Sequence, residues 1–314
     1  MLVLATHMLP VGPKSWQLND ATGGMGMSLF FALSGFLIVS LLLAETTVPE
    51  FLVRRLARIL PLAYAYAFVV FVVFTFDPSR MFWTDTFLIN YVNPPQNLIS
   101  INAHYWSLCV EMQFYGCIAL VVLVIGRKGL WLVFPACLAV TLLRYADGAP
   151  VDIRTHHRVD EILAGACVAM LYRPDWAKHK NLAMVAILPI AVLWFLSADW
   201  FLDSLGYLRP YFSAALLAAA LCLEDSLVGR LLTSKPLGYI ATISYALYII
   251  HPATIHGWWN DGSPLVRYLV KRPISFAVLF SLAHFSTFYW EKYWQDVARR
   301  FVKRWRSEPV GAVT

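Results

Sequence analysis

The sequence predicts an all-α, polytopic integral membrane protein, and three observations predict it. Apolar segments of about bilayer length recur from one end to the other. Charged residues are scarce, 14% of the chain against 59% hydrophobic, where a soluble chain carries roughly 25%; the mean hydropathy is +0.61. Aromatic residues are abundant, with 12 Trp and 15 Tyr, as suits belts at two membrane–water interfaces. In lipid a helix satisfies its own backbone hydrogen bonds, so helices are the expected elements.

Nine segments approach the ~20 residues a bilayer requires: 27–44, 59–76, 105–125, 129–146, 159–172, 182–198, 208–223, 237–256 and 273–290, of which 159–172 and 208–223 are short. A tenth, partial segment lies at Met1–Val11. It reads as the outer end of a first helix whose beginning precedes Met1. No low-complexity tract separates the segments, so residues 1–290 form one membrane domain. Residues 291–314 form a basic tail in which Trp294, Val297, Phe301, Val302 and Trp305 share one helical face, a pattern suited to the surface of the inner leaflet.

Lysine and arginine set the expected orientation. One set of alternate loops, with the tail, holds sixteen of the 25, including Arg54, Arg55 and Arg58; the other side collects ten acids. The positive-inside rule places the basic set and the C-terminus in the cytoplasm. The net charge of +6 is therefore topological, and a nucleic-acid partner is not expected, since no basic domain stands apart. The five cysteines fall within apolar segments without metal-ligand spacing and read as packing residues.

Certain polar residues need a reason. Glu111, in "YWSLCVEMQFYG", carries a carboxylate two turns into an apolar helix, at an insertion cost of about 3 kcal/mol. It either ties neighbouring helices together or serves a site. Ser34 and Gly35 interrupt "LFFALSGFLIV", and small residues there allow close helix approach. Arg54, Arg55 and Arg58 crowd the inner mouth of the third span. Such a cluster marks topology and also suits phosphate binding. In "RTHHRVDEILAGAC", His156/Asp160 and His157/Glu161 have i, i+4 spacing, but no further ligand group stands nearby in sequence. A metal is not expected there, and Arg158 and Asp160 are expected to pair. His7, His251 and Asn90 lie toward the outer side with Glu111 and Asp160. The pattern is a polar site with an outer chemical end and an inner basic mouth.

Five segments together resemble the acyltransferase 3 family of integral-membrane acyltransferases. "FFALSGFLI" is similar to the family's Ser-Gly-Phe-Leu helix, and "VRRLARILPLAY" to its basic segment. "YWSLCVEMQFY" resembles its Trp-Ser-Leu…Glu…Phe-Tyr signature, "HHRVDEILAGA" its Arg-x-Asp helix start, and "LGYIATISYALYIIH" its late Ser-Tyr-x-Leu-Tyr-x-x-His helix. Each is weak alone; five in order cover most of the chain.

The resemblance implies a ten-helix bundle that moves an acyl group, often acetyl, from acyl-CoA to a hydroxyl of a carbohydrate, glycolipid or glycosylated acceptor. It implies no permanently bound cofactor; acetyl-CoA is a co-substrate. It implies a multi-pass protein of the plasma (bacterial inner) membrane. His7 takes the place of the family's first-helix histidine. The arginine that precedes that histidine in the family would fall before Met1. On this reading His7 is the catalytic base, with Glu111 orienting it or binding the acceptor. Arg54, Arg55 and Arg58 hold the donor's phosphates, and Ser34 or Asn90 meets the thioester oxygen. Asn90, Arg158, Asp160 and His251 are candidate acceptor or supporting groups. The alternatives are a polytopic transporter, which the lack of matching inverted halves disfavours, and an inactive, truncated member of the family.

Overall fold

The computed structural model describes residues 1–44, 46–92, 101–198 and 203–307. Part of the 77–104 connection (residues 93–100) and the end of the tail (308–314) lie outside them. The described residues are helical and contain no strand. The principal helices are α1 (Leu2–Met8), α2 (Leu18–Leu43), α3 (Val48–Val70), α4 (Tyr105–Ile125), α5 (Val133–Ala146), α6 (Asp160–Leu171), α7 (Lys180–Leu196), α8 (Arg209–Cys222), α9 (Lys235–Ile250), α10 (Arg272–Phe285) and α11 (Lys292–Ser307).

Five stretches are long and apolar enough to cross a membrane: Leu18–Leu43, Val48–Phe74, Tyr105–Ile125, Arg127–Ala146 and Pro174–Leu196. The other expected spans are shorter or broken. α6 has 12 residues, about 18 Å of rise against the ~30 Å of a bilayer core. It sits inside the bundle against α2, α5 and α8, with ten of its residues buried. The segment 237–256 ends its α-helix at Ile250, because Pro252 cannot continue the ladder, and tightens into a 3-10 turn at His251–Thr254. The segment 273–290 runs through a π turn, Ser286–Glu291, straight into α11. The chain is thus helical without a break across residues 290 and 291.

Two glycines set the central crossing. A Cβ at Gly35 would stand 1.8 Å from the carbonyl oxygen of Ile162, and one at Gly165 would stand 1.8 Å from that of Ala32. The backbones of α2 and α6 therefore touch, which only glycine permits. Ser28 knits this core further: Trp194 of α7 donates to its hydroxyl at 3.0 Å and Ser213 of α8 at 2.9 Å.

α1 is a stub clamped to α2. Asn19 donates to the carbonyls of Thr6 (2.7 Å) and Leu9 (2.8 Å) and accepts from the Val11 amide (3.2 Å), so it closes the α1–α2 connection. At the opposite end of the bundle α11 packs on α3. Ala298 and Val302 are buried there, while Trp294, Phe301 and Trp305 stay exposed. The buried Glu50 of α3 pairs with both Arg54 and Arg306.

Candidate active site

The histidines and the arginines occupy opposite ends of the bundle. At the histidine end an open cleft of about 550 Å³ is lined by residues of α1, α2, the start of α4, the 151–158 connection and the segment after α9. His7 and His251 stack across it with ring centroids 5.3 Å apart. His104 stands edge-on to His251 at 5.6 Å. The sequence places these three histidines far apart; the end of α9 and the turn that follows it bring them together.

Each imidazole is held differently. His251 hydrogen-bonds through Nδ1 to the Tyr248 carbonyl at 2.7 Å. A carbonyl only accepts, so Nδ1 carries the proton and Nε2 of the neutral ring is left with a lone pair. Tyr248 is itself fixed, donating to the His104 carbonyl at 2.8 Å and lying 2.5 Å from the Ser107 hydroxyl. His7 makes no hydrogen bond with the described residues and faces the cleft. His104 is buried with both ring nitrogens unpartnered. Reading the sequence did not single out His104, although it lies two residues before the Trp-Ser-Leu motif. That proximity was the available signal.

Glu111 does not meet this cluster. Its carboxylate accepts from Ser34 of α2 at 3.0 Å and from Tyr115, one turn on, at 2.6 Å. No hydrogen bond joins it to His7. Along α2, Ser34 lies about 16 Å beyond Gly23, the residue on which Thr6 of α1 rests. Glu111 is therefore not in contact with His7 and belongs to the other half of the bundle. Arg55 and Arg58 lie within electrostatic reach of it. Neither forms a hydrogen bond or ion pair with the described residues. Arg54 differs, being engaged by Glu50 at 2.5 Å.

Arg158 lines the cleft, with its guanidinium 5.3 Å from the Trp106 ring and 3.2 Å from Glu161. Asp160 is fully buried and pairs with Arg144 at 2.5 Å. The expected Arg158–Asp160 pair is thus replaced by Arg158–Glu161 and Arg144–Asp160. Consecutive helical residues point to different faces. Arg209 completes the set, donating to Glu161 at 2.9 Å. Asn90 is a buried brace: it donates to Thr155 (2.9 Å) and to the Ile153 carbonyl (3.3 Å) and accepts from Gln113 (3.3 Å). His157 spans Asp152 (2.6 Å) and Asp147 (2.8 Å), and His156 meets Tyr91 at 3.1 Å. The i, i+4 pairs of this motif therefore diverge. Among the described residues no group of three His, Cys, Asp or Glu side chains is arranged to hold a metal.

The described residues thus form a helical bundle with an imidazole cluster at one end and arginines without ion pairs at the other. The acyltransferase-domain model of the acyltransferase 3 family matches residues 1–290, and the chain belongs to this family. It is similar to YrhL of Bacillus subtilis, whose name assigns it provisionally to peptidoglycan O-acetylation. The identity is 29% over 85% of this chain and 50% of the relative. It is also similar to the O-acetyltransferase OatA of Staphylococcus aureus, at 26% over 79% of this chain and 49% of the relative. The chain spans about half the length of these relatives. No solved structure matches it. The transporter alternative finds no support among these relatives.

Proposed function

We propose that the protein is a membrane O-acetyltransferase. It would take an acetyl group from acetyl-CoA at the arginine end, the cytoplasmic side, and pass it to a carbohydrate hydroxyl in the histidine-lined cleft on the outer side. The observation that carries this reading is the cleft itself, where His7 and His251 stack with free ring nitrogens facing the space an acceptor would fill. The names of the relatives support acetyl as the group, and that of YrhL supports peptidoglycan as the acceptor class.

In the step proposed, the acceptor hydroxyl oxygen attacks the thioester carbonyl carbon. The new C–O bond forms, the C–S bond breaks, and CoA leaves as the thiolate. The hydroxyl proton passes to a neutral imidazole and then to the thiolate, so ester and free CoA are the products. His7 is the base, its ring positioned by His251; a neutral imidazole suits the task near pH 7. Arg55 and Arg58, unpaired and i, i+3, hold the donor phosphates. Glu111, braced by Ser34 and Tyr115, lines the inner half of the path and keeps α2 and α4 in register.

The test is label transfer from acetyl-labelled acetyl-CoA into base-labile esters in membranes holding comparable amounts of each protein. His7→Ala is expected to lower transfer by ~10²–10⁴-fold, the usual worth of a general base, and His251→Ala by less. Full loss with His251→Ala alone would move the base to His251. Arg58→Ala is expected to raise the acetyl-CoA concentration needed without lowering the maximal rate as much. Wild-type transfer in both histidine variants would overturn the reading.

A further inference from the structure

Four arginines of the described residues are buried: Arg144, Arg158, Arg209 and Arg272. Three have carboxylates, since Arg144 pairs with Asp160 while Arg158 and Arg209 share Glu161. Arg272 has none. It lies at the start of α10 with 5% of its surface exposed and lines the same cleft as the histidines. Its single protein hydrogen bond runs from Nη2 to the side-chain oxygen of Asn260, at 3.2 Å. Nε and Nη1 are buried without a partner. Tyr268 and a second cation, Arg267, lie within electrostatic reach of it. The acids lining the cleft do not reach it: Asp152 is held by Arg154 and His157, and Asp20 forms no ion pair with the described residues.

A buried donor left unmade costs about 1–3 kcal/mol, more when charged. An uncompensated guanidinium is therefore an expensive feature unless something outside the chain completes it. Its surroundings are also built to keep it in place. Ser275, one turn along α10, donates to the Thr254 carbonyl at 2.5 Å. That bond pins the helix to the 3-10 turn that begins at His251. Lys271 donates to the carbonyls of Trp258 (2.5 Å) and Asp261 (3.0 Å) and lies 4.3 Å from the Trp258 ring. These contacts brace the short loop that presents Asn260. The guanidinium is thus held at a fixed place relative to His251, on one wall of the cleft.

We propose that Arg272, with Asn260, forms an oxyanion subsite for the acceptor. It takes a carboxylate or phosphate borne by the carbohydrate and so sets which hydroxyl is presented to the histidines. The inference rests on the reading of the cleft as an acceptor site. It selects anionic over neutral glycans, because only an anion completes both the charge and the unfilled donors.

Binding is measured separately from transfer, so that the two readings fail separately. The purified full chain is titrated with tetragalacturonate (carboxylate), N-acetylglucosamine 1-phosphate (phosphate) and neutral chitotetraose. The proteins compared are the wild type, Arg272→Gln and Arg272→Lys. The wild type is expected to bind at least one anionic probe more tightly than chitotetraose. Arg272→Gln is expected to lose that preference by ~10–100-fold, and Arg272→Lys to regain part of it with less geometric selectivity. The probe affected identifies the anion as carboxylate or phosphate. Equal affinity for charged and neutral probes in the wild type, or an anionic preference unchanged in Arg272→Gln, overturns the subsite. Arg272-dependent binding without acetyl transfer in the wild type would uphold the subsite and remove the acetyltransferase reading instead.

Discussion

His157 is gripped by two carboxylates, and the firmer grip belongs to Asp152, which also accepts from Arg154 and from the amides of Ile153 and Arg154. Burial pushes the Asp152 carboxyl up, but these hydrogen bonds outweigh it and hold the carboxyl below the usual carboxylate range. The sign follows from linkage: a depressed carboxyl contributes stability above its unfolded value of about 3.9 and loses it as the pH falls toward the folded value. The stability of the wild type over Asp152→Asn is therefore expected to be full near pH 7 and to shrink below about pH 4. Thermal unfolding of both proteins at several pH values checks this; a gap that stays constant with pH would contradict it. Asp152 and Ile153 also line the cleft, so the same variant reports whether the outer connection shapes the acceptor space.

At the scale of elements, the fold turns on the α2–α6 crossing. α6 is too short to span a bilayer alone, so its place depends on packing against α2, α5 and α8. Gly35→Ala or Gly165→Ala would drive a methyl into a backbone carbonyl, which cannot swing aside as a side chain can. The expected cost is ~1–3 kcal/mol or more, seen as a lower unfolding temperature in detergent. Gly116→Ala is the control. It lies on an exposed turn of α4 with nothing within 4 Å of the added Cβ, and helix propensity favours alanine there by roughly 1 kcal/mol. Gly35→Ala matching Gly116→Ala in stability would show that the backbones are not in contact. The crossing also serves the site: α2 carries Ser34, whose bond to Glu111 joins α2 to α4 one residue before the touching glycine.

For the whole molecule, the candidate site residues are divided between two ends. The histidine cleft and Arg272 lie at one end; Arg54, Arg55, Arg58 and the α11 latch on Glu50 lie at the other. Such a division suits a donor and an acceptor that approach from opposite sides of a membrane. The proposed orientation, drawn from the lysine and arginine bias, puts the arginine end, and with it α11, in the cytoplasm. A C-terminal green fluorescent protein fusion is expected to fluoresce, and an alkaline phosphatase fusion at the same point to be inactive. The reverse pattern would invert the orientation and place the proposed donor site outside the cell.

Much of this was legible in the amino-acid order. Composition and the spacing of apolar runs determined an all-helical membrane protein, because lipid requires every backbone group to be paired and runs of about 20 apolar residues do this as helices. Five ordered motifs pointed to the family and marked His7, Ser34, Glu111, the arginine cluster and His251 as candidate site residues. Which of these meet is a different matter. Ser34 and Glu111, 77 residues apart, join each other and not His7, whereas His7 meets His251, which in turn meets the unmarked His104. Arg158 turns to Glu161 and leaves Asp160 to Arg144. Arg272 looks like any topogenic arginine until its burial, its empty donors and its lack of a carboxylate are seen together. Periodicity shows which face of a helix is polar. Which neighbour that face meets depends on helix crossings such as Gly35 on Gly165, and those belong to the tertiary structure alone.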